Sequence, residues 1–152
     1  MEEKQHSLIL ALPKGRVYEK VFPILEGSKF ELIDDPKKTR KLVLDTKSNK
    51  LKVLLVRGWD VPAYVTSGAA HLGVVGKDIL IEKESEEFIE LKDLEIGKCR
   101  LSLAAKKDLL SNTTRMKIAT KYPKSAIKFM ESIGVQSEII YLHGAQEIAP
   151  EP

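Results

Sequence analysis

Leu8-Ile9-Leu10-Ala11-Leu12-Pro13-Lys14-Gly15-Arg16 is a short apolar run that stops at a Pro-Lys-Gly-Arg turn. Val17, Val21, Ile24 and Leu25 then recur at helical spacing, so the sequence predicts a strand over Leu8 to Leu12 that opens directly into a helix over about Gly15 to Glu26. Pro23 predicts a kink or a restart within that helix, and Gly27 a stop. A turn at the head of a helix presents free backbone N–H groups and the positive end of the helix dipole. Lys14 and Arg16 add two cations, and Gly15 lets a ligand approach the backbone. Solvated turn cations are the plainer reading; an anion site is the sharper one.

Working outward, Arg40 to Asp45 and Leu51 to Arg57 are apolar-rich runs around a polar tip, a β-hairpin pattern. Asp60 as N-cap, Pro62 in a first turn and Gly68 past the end predict a short helix over Asp60 to Ser67. Leu72 to Val75 reads as a buried strand, Gly76-Lys77-Asp78 as a turn, and Asp78 to Glu82 as a further helical turn. Leu101 to Ala105 and Met116 to Ala119 read as strands. Ala126, Phe129, Met130 and Ile133 place a helix over about Lys124 to Ile133, stopped by Gly134. Ile139 to Leu142 is the last strand, and Gly144 to Ala149 begins another helix. The alternation predicts an α/β fold with a lobe boundary near Ile96-Gly97, hence lobes over 1–96 and 97–152.

Charged groups then fall at the ends of predicted strands: Lys14 and Arg16, Arg57 and Asp60, Lys77 and Asp78. In an open α/β sheet, ligands bind beyond the carboxyl ends of the strands. Three glycine-flanked turns on one edge would form a basic cleft.

Bulk properties narrow the function. The 152 residues are 43% hydrophobic and 31% charged with a net charge of +3, an ordinary soluble composition with acids and bases interleaved. Neither that charge nor any basic–aromatic interleaving argues for nucleic acid. No apolar run approaches the roughly 18 residues of a spanning helix, so no membrane is expected, and Met1 to His6 lacks a signal-peptide core. The single cysteine, Cys99, excludes an internal disulfide, fits a reducing cytoplasm and reads as a small half-buried residue near a strand start. No Cys/His cluster has metal-ligand spacing, so no protein metal ligand is expected.

Taken together, Ala11-Leu12-Pro13-Lys14-Gly15-Arg16, Thr39-Arg40-Lys41-Leu42 and Leu55-Val56-Arg57-Gly58-Trp59-Asp60-Val61-Pro62 closely resemble ATP phosphoribosyltransferase of histidine biosynthesis. Gly73-Val74-Val75-Gly76-Lys77-Asp78, Ala119-Thr120-Lys121-Tyr122-Pro123 and Glu147-Ile148-Ala149-Pro150 continue the likeness, in order, along nearly the whole chain. The resemblance is to the short form, without a C-terminal regulatory domain. It implies a two-lobed type II periplasmic-binding-protein-like fold with the site between the lobes. It implies transfer of phosphoribosyl from phosphoribosyl pyrophosphate to N1 of ATP, releasing pyrophosphate, with Mg²⁺ required. It further implies a homodimer in the cytoplasm and a regulatory subunit similar to histidyl-tRNA synthetase that carries histidine feedback.

By matching position, Arg57 is the expected group that stabilises pyrophosphate, and Arg40 the second, acting across a dimer interface. Lys14, Gly15 and Arg16 would hold phosphates, with Asp60, Lys77 and Glu147 as further substrate contacts, Glu147 toward a ribose hydroxyl or the nucleotide. Plainer alternatives are an Arg57–Asp60 pair at a strand end and Glu147 as a helix-start carboxylate. The sequence departs from the family in two ways. The family's acid-Thr-Gly-x-Thr phosphate loop lies past Pro152, so the fold is expected to be C-terminally incomplete and the chain inactive alone. A non-catalytic nucleotide-binding module, or a remnant of the enzyme, is the alternative. His71 stands where the family usually has Asp and reads as a surface or strand-end residue.

Overall fold

The computed structural model describes residues 7–84, 87–105 and 115–144. The chain divides into two compact units, Met1–Cys99 and Arg100–Pro152.

The first unit is built on β1 (Leu8–Pro13), the apolar run that precedes the turn. β1 pairs in parallel with β3 (Leu51–Val56) on one side and with the short β4 (Leu72–Gly73) on the other. β2 (Val43–Asp45) runs antiparallel to β3, giving the order β2-β3-β1-β4. The hairpin expected from the polar tip is therefore present, with a first arm shorter than Arg40 to Asp45.

β1 is apolar at every position, and both of its faces are covered toward its carboxyl end, where Ala11, Leu12 and Pro13 are buried, while Leu8 is exposed. On one face Leu12 joins Val53, Leu55 and Leu44 beneath α1 (Arg16–Leu25), which contributes Tyr18 and Val21. On the other, Ala11 and Val56 meet Val61 of α2 (Val61–Thr66) and Ala70. A helix on each face of a parallel core is the doubly wound arrangement. α3 (Lys77–Lys83) follows β4 and is longer than the single turn expected.

The second described unit holds β5 (Arg115–Thr120), α4 (Pro123–Ser132) and β6 (Gln136–Tyr141). β5 and β6 pair in parallel from Arg115↔Gln136 to Thr120↔Tyr141, a βαβ unit that buries Met130 and Ile118.

Several local expectations are corrected. Residues 101–105 form no strand: no described segment pairs with them, and Leu101 and Leu103 are exposed. Cys99, expected half-buried beside that strand, is exposed for the same reason. Asp60 does not cap α2. Gly58–Asp60 forms a 3₁₀ turn that places Asp60 at φ −92°, ψ −19°, already helical, so its carboxylate makes no capping bond. Pro23 neither kinks α1 into two helices nor restarts it: the helix runs to Leu25, and Glu26 N–H still donates to Phe22 C=O (2.9 Å). The strand expected over 72–75 shortens to two residues, although His71 N–H to Ile9 C=O and Val74 N–H to Ala11 C=O extend its pairing. The helix expected from Gly144 to Ala149 lies almost wholly outside the described residues.

Candidate functional site

Parallel pairing decides where the charged turns go. Pro13 is in register with Val56, so β1 and β3 end together and deliver Lys14 and Arg57 side by side at one sheet edge. β2 runs the other way, so its start lies at that same edge. Leu55 N–H donates to Leu42 C=O (2.7 Å), which carries Arg40 and Lys41 there as well. The end of β4 brings the Gly76-Lys77 turn to the same side of the sheet.

The Lys14 turn is held by its backbone. Lys14 N–H donates to Val56 C=O (3.1 Å), and Gly15 sits at φ 81°, ψ −140°, a conformation open to glycine and hardly to any other residue. That geometry swings the chain into α1, whose first-turn N–H groups receive no side-chain cap. The loop opposite is also self-supported. Lys37 N–H donates to the Asp35 carboxylate (2.9 Å), and Lys41 N–H donates to Thr39 Oγ1 (3.2 Å).

Between them lies a cavity of about 220 Å³ with Lys14, Gly15, Tyr18, Glu19, Lys37, Thr39, Arg40 and Lys41 in its walls and Leu55 at its base. Its cations divide into two kinds. Lys37 pairs with Glu19 (3.2 Å), and Lys41 pairs with Asp34 (2.8 Å), whose hydrogen bond and charge hold the Lys41 ammonium above its ordinary range. Lys14 and Arg40 have no acidic partner among the described residues. Two uncommitted cations beside uncapped helix N–H groups make an electropositive recess fitted to a multiply charged oxyanion.

None of the other described candidates lines this cavity. Arg57 is exposed, and neither it nor Asp60 has an ion-pair partner among the described residues, so the two do not pair with each other. Arg16 is exposed on the first turn of α1. Lys77 turns to Glu90, with which it pairs closely beside a separate recess bordered by Leu80 and Phe88. Glu147 lies outside the described residues. His71 is an exposed strand-end residue whose Nδ1 accepts the Ile9 N–H (3.0 Å), which leaves its proton on Nε2. Tyr18, Glu19 and Lys37 escaped sequence reasoning. Only the helical spacing of Tyr18 from Val21 hinted that Tyr18 faces the sheet.

A family model for HisG, ATP phosphoribosyltransferase, matches residues 57–152. The ATP phosphoribosyltransferase of Hydrogenovibrio crunogenus is 44% identical over 143 residues, 94% of this chain and 69% of that protein. This chain belongs to the ATP phosphoribosyltransferase family. A second member, from an Acidovorax species, is 43% identical over 148 residues, 94% of this chain and 68% of the relative. The solved ATP phosphoribosyl transferase (HisG:HisZ) complex from Thermotoga maritima superposes with a TM-score of 0.72 at 33% identity, over 95% of this chain and 68% of that one. The chain thus spans about two thirds of the length of these ATP phosphoribosyltransferases. Membership bears out the expected α/β, type II periplasmic-binding-like fold class and the assignment to a glycosyltransferase of histidine biosynthesis.

Proposed function

We propose that the basic sheet edge binds the phosphate groups of ATP and phosphoribosyl pyrophosphate for phosphoribosyl transfer to N1 of adenine. The observation that carries this reading is the pairing of Lys14 and Arg40, both without acidic partners among the described residues, across one cavity beside the Gly15 turn. In the reaction the C1–oxygen bond to pyrophosphate breaks, the N1–C1 bond forms, and negative charge grows on the departing pyrophosphate. A cation fixed before that charge develops stabilises the transition state more than the ground state. Arg57, exposed and uncommitted beside Lys14, is the group for that role, with Arg40 second. Lys14, Arg16 and the Gly15 backbone hold phosphates; Asp60, Lys77 and Glu147 are further substrate contacts.

Mg²⁺ is the metal this chemistry calls on, to screen phosphate charge. The described residues do not fit a resident ion. No group of three acidic, His or Cys side chains converges among them, and Glu19, the carboxylate in the cavity wall, is occupied by Lys37. Mg²⁺ ordinarily binds through substrate phosphates and water rather than an all-protein cage, so it belongs to the substrate here. The solved HisG:HisZ complex supports a HisZ-like partner for this chain; a homodimer, and feedback regulation through that partner, are part of the same proposal. No helix among the described residues is long and apolar enough to cross a membrane.

Titration calorimetry tests the reading. Inorganic pyrophosphate, ATP and phosphoribosyl pyrophosphate are expected to bind the chain, and Lys14→Ala and Arg40→Ala each to weaken pyrophosphate about tenfold, the worth of one charge-assisted hydrogen bond. Undiminished binding in both variants would place the phosphate site elsewhere.

A further inference from the structure

Tyr18 carries an observation that the phosphate reading leaves unused. Its side chain is only 7% exposed, sits in the core beneath α1 and packs against Phe22 with ring centroids 5.7 Å apart. Phenylalanine would fill that space with no polar atom to satisfy. Yet the Tyr18 hydroxyl makes no hydrogen bond among the described residues. It is not sealed in either, because among the described residues no fully buried side-chain polar atom lacks a partner. The hydroxyl therefore keeps some access to open space, and Tyr18 is a wall residue of the cavity of Lys14 and Arg40.

The surroundings fix what partner that hydroxyl suits. Burial and the Asp35 charge both raise the phenol pKa, so near neutral pH the group is a proton donor. Its partner is an acceptor, and the cations lining the same cavity select an anionic one. We propose that the Tyr18 hydroxyl donates a hydrogen bond to a phosphate oxygen of a polyphosphate held between Lys14 and Arg40, making Tyr18 a substrate-binding and specificity-determining residue. This rests on the placement of phosphate groups in the cavity argued above.

The test is pyrophosphate titration of the full chain and of Tyr18→Phe, with Lys14→Ala and Arg40→Ala alongside and the thermal midpoint of each recorded without ligand. Tyr18→Phe is expected to bind pyrophosphate about tenfold more weakly, as fits one hydrogen bond to a charged acceptor. Its unliganded midpoint is expected to stay unchanged, since the hydroxyl has no protein partner to lose. Repeating the titration with ATP and with phosphoribosyl pyrophosphate identifies the source of the phosphate as the substrate that loses the same factor. Wild-type affinity in Tyr18→Phe, with weakened binding in Lys14→Ala and Arg40→Ala, overturns the inference and leaves the phosphate site standing. Wild-type affinity in all three variants overturns both. A clear fall in the unliganded midpoint of Tyr18→Phe also overturns it, because the hydroxyl would then serve the fold.

Discussion

Gly15 holds the site open at the cost of a conformation that side chains resist. At φ 81° and ψ −140° its missing Cβ would meet no atom within 4 Å, so the difficulty for any other residue is backbone strain and not crowding. Gly15→Ala is expected to lower stability by about 1–3 kcal/mol and to weaken pyrophosphate binding by displacing the turn; chemical denaturation and calorimetry read the two effects separately. Arg57 supplies the opposite case. It is exposed and without an ion-pair partner among the described residues, so Arg57→Ala should leave the denaturation midpoint within about 0.5 kcal/mol while reducing pyrophosphate affinity. A stability loss as large as that of Gly15→Ala would show that Arg57 serves the fold. Glu31 sets a pH dependence. Its carboxylate accepts from Gly27 N–H (2.9 Å) and pairs with Lys47 (2.9 Å), and chiefly the Lys47 hydrogen bond holds it below the ordinary carboxylate range. A carboxyl depressed in the folded state stabilises above its unfolded pKa, and that contribution is lost as pH falls through the folded value. Glu31→Gln should therefore flatten the acid side of the stability–pH profile and leave the alkaline side unchanged, as followed by urea midpoints across pH.

At the scale of elements, α2 lies close against β4. A Cβ on Gly73 would lie 2.5 Å from Val61 Cγ1 and 3.1 Å from Val65 Cγ2, and Val61 is buried with no room to retreat. Gly73→Ala is expected to destabilise by about 1–3 kcal/mol through overpacking. Gly58→Ala is the control: its Cβ would meet Ile79 Cδ1 at an ordinary 3.5 Å, so the midpoint should hardly move. Equal effects of the two would refute the close approach of β4 to α2. The same elements show what sequence patterns carry. β1, the hairpin of β2 and β3, α1 and the β5–α4–β6 unit were legible because each is written in local periodicity or turn chemistry. The strand expected over 101–105 was not, because an apolar run becomes a strand only with a pairing partner, which no local pattern encodes. Asp60 misled for a related reason: a residue suited to capping does not reveal that a 3₁₀ turn has already placed it in helical geometry. The site was half legible. Lys14, Gly15 and Arg40 are visible as charged or flexible residues at element ends, and parallel register brings them to one edge. Tyr18 was hidden because a tyrosine on an apolar helix face reads as core until a cavity is seen beside it.

Across the whole molecule, the two units differ in how much core they bury and in how many strands support each strand. Ala11, Leu12, Leu44 and Val53 of the first unit are completely buried, and β1 is paired on both sides. In the second, Met130 and Ile118 are the buried apolar residues among those described, and among the described strands β5 and β6 pair only with each other. Two strands with one packed helix expose most of their backbone hydrogen bonds to any local opening, whereas a central strand opens only when both neighbours leave it. Native-state hydrogen exchange should therefore find the slowest amides in β1 and β3, at Leu12, Val53 and Leu55. The amides of β5 and β6, at Ile118 and Ile139, should exchange through an opening at least about 1.4 kcal/mol less costly, which is a tenfold faster rate. Adding pyrophosphate should slow exchange at the Lys14 turn and in α1 and leave the ratio between β5 and β6 unchanged, because the cavity is lined wholly by residues of the first unit. Equal protection of Ile118 and Leu12 in the unliganded chain would mean that the units unfold as one cooperative body, and the distinction drawn from their cores would fall.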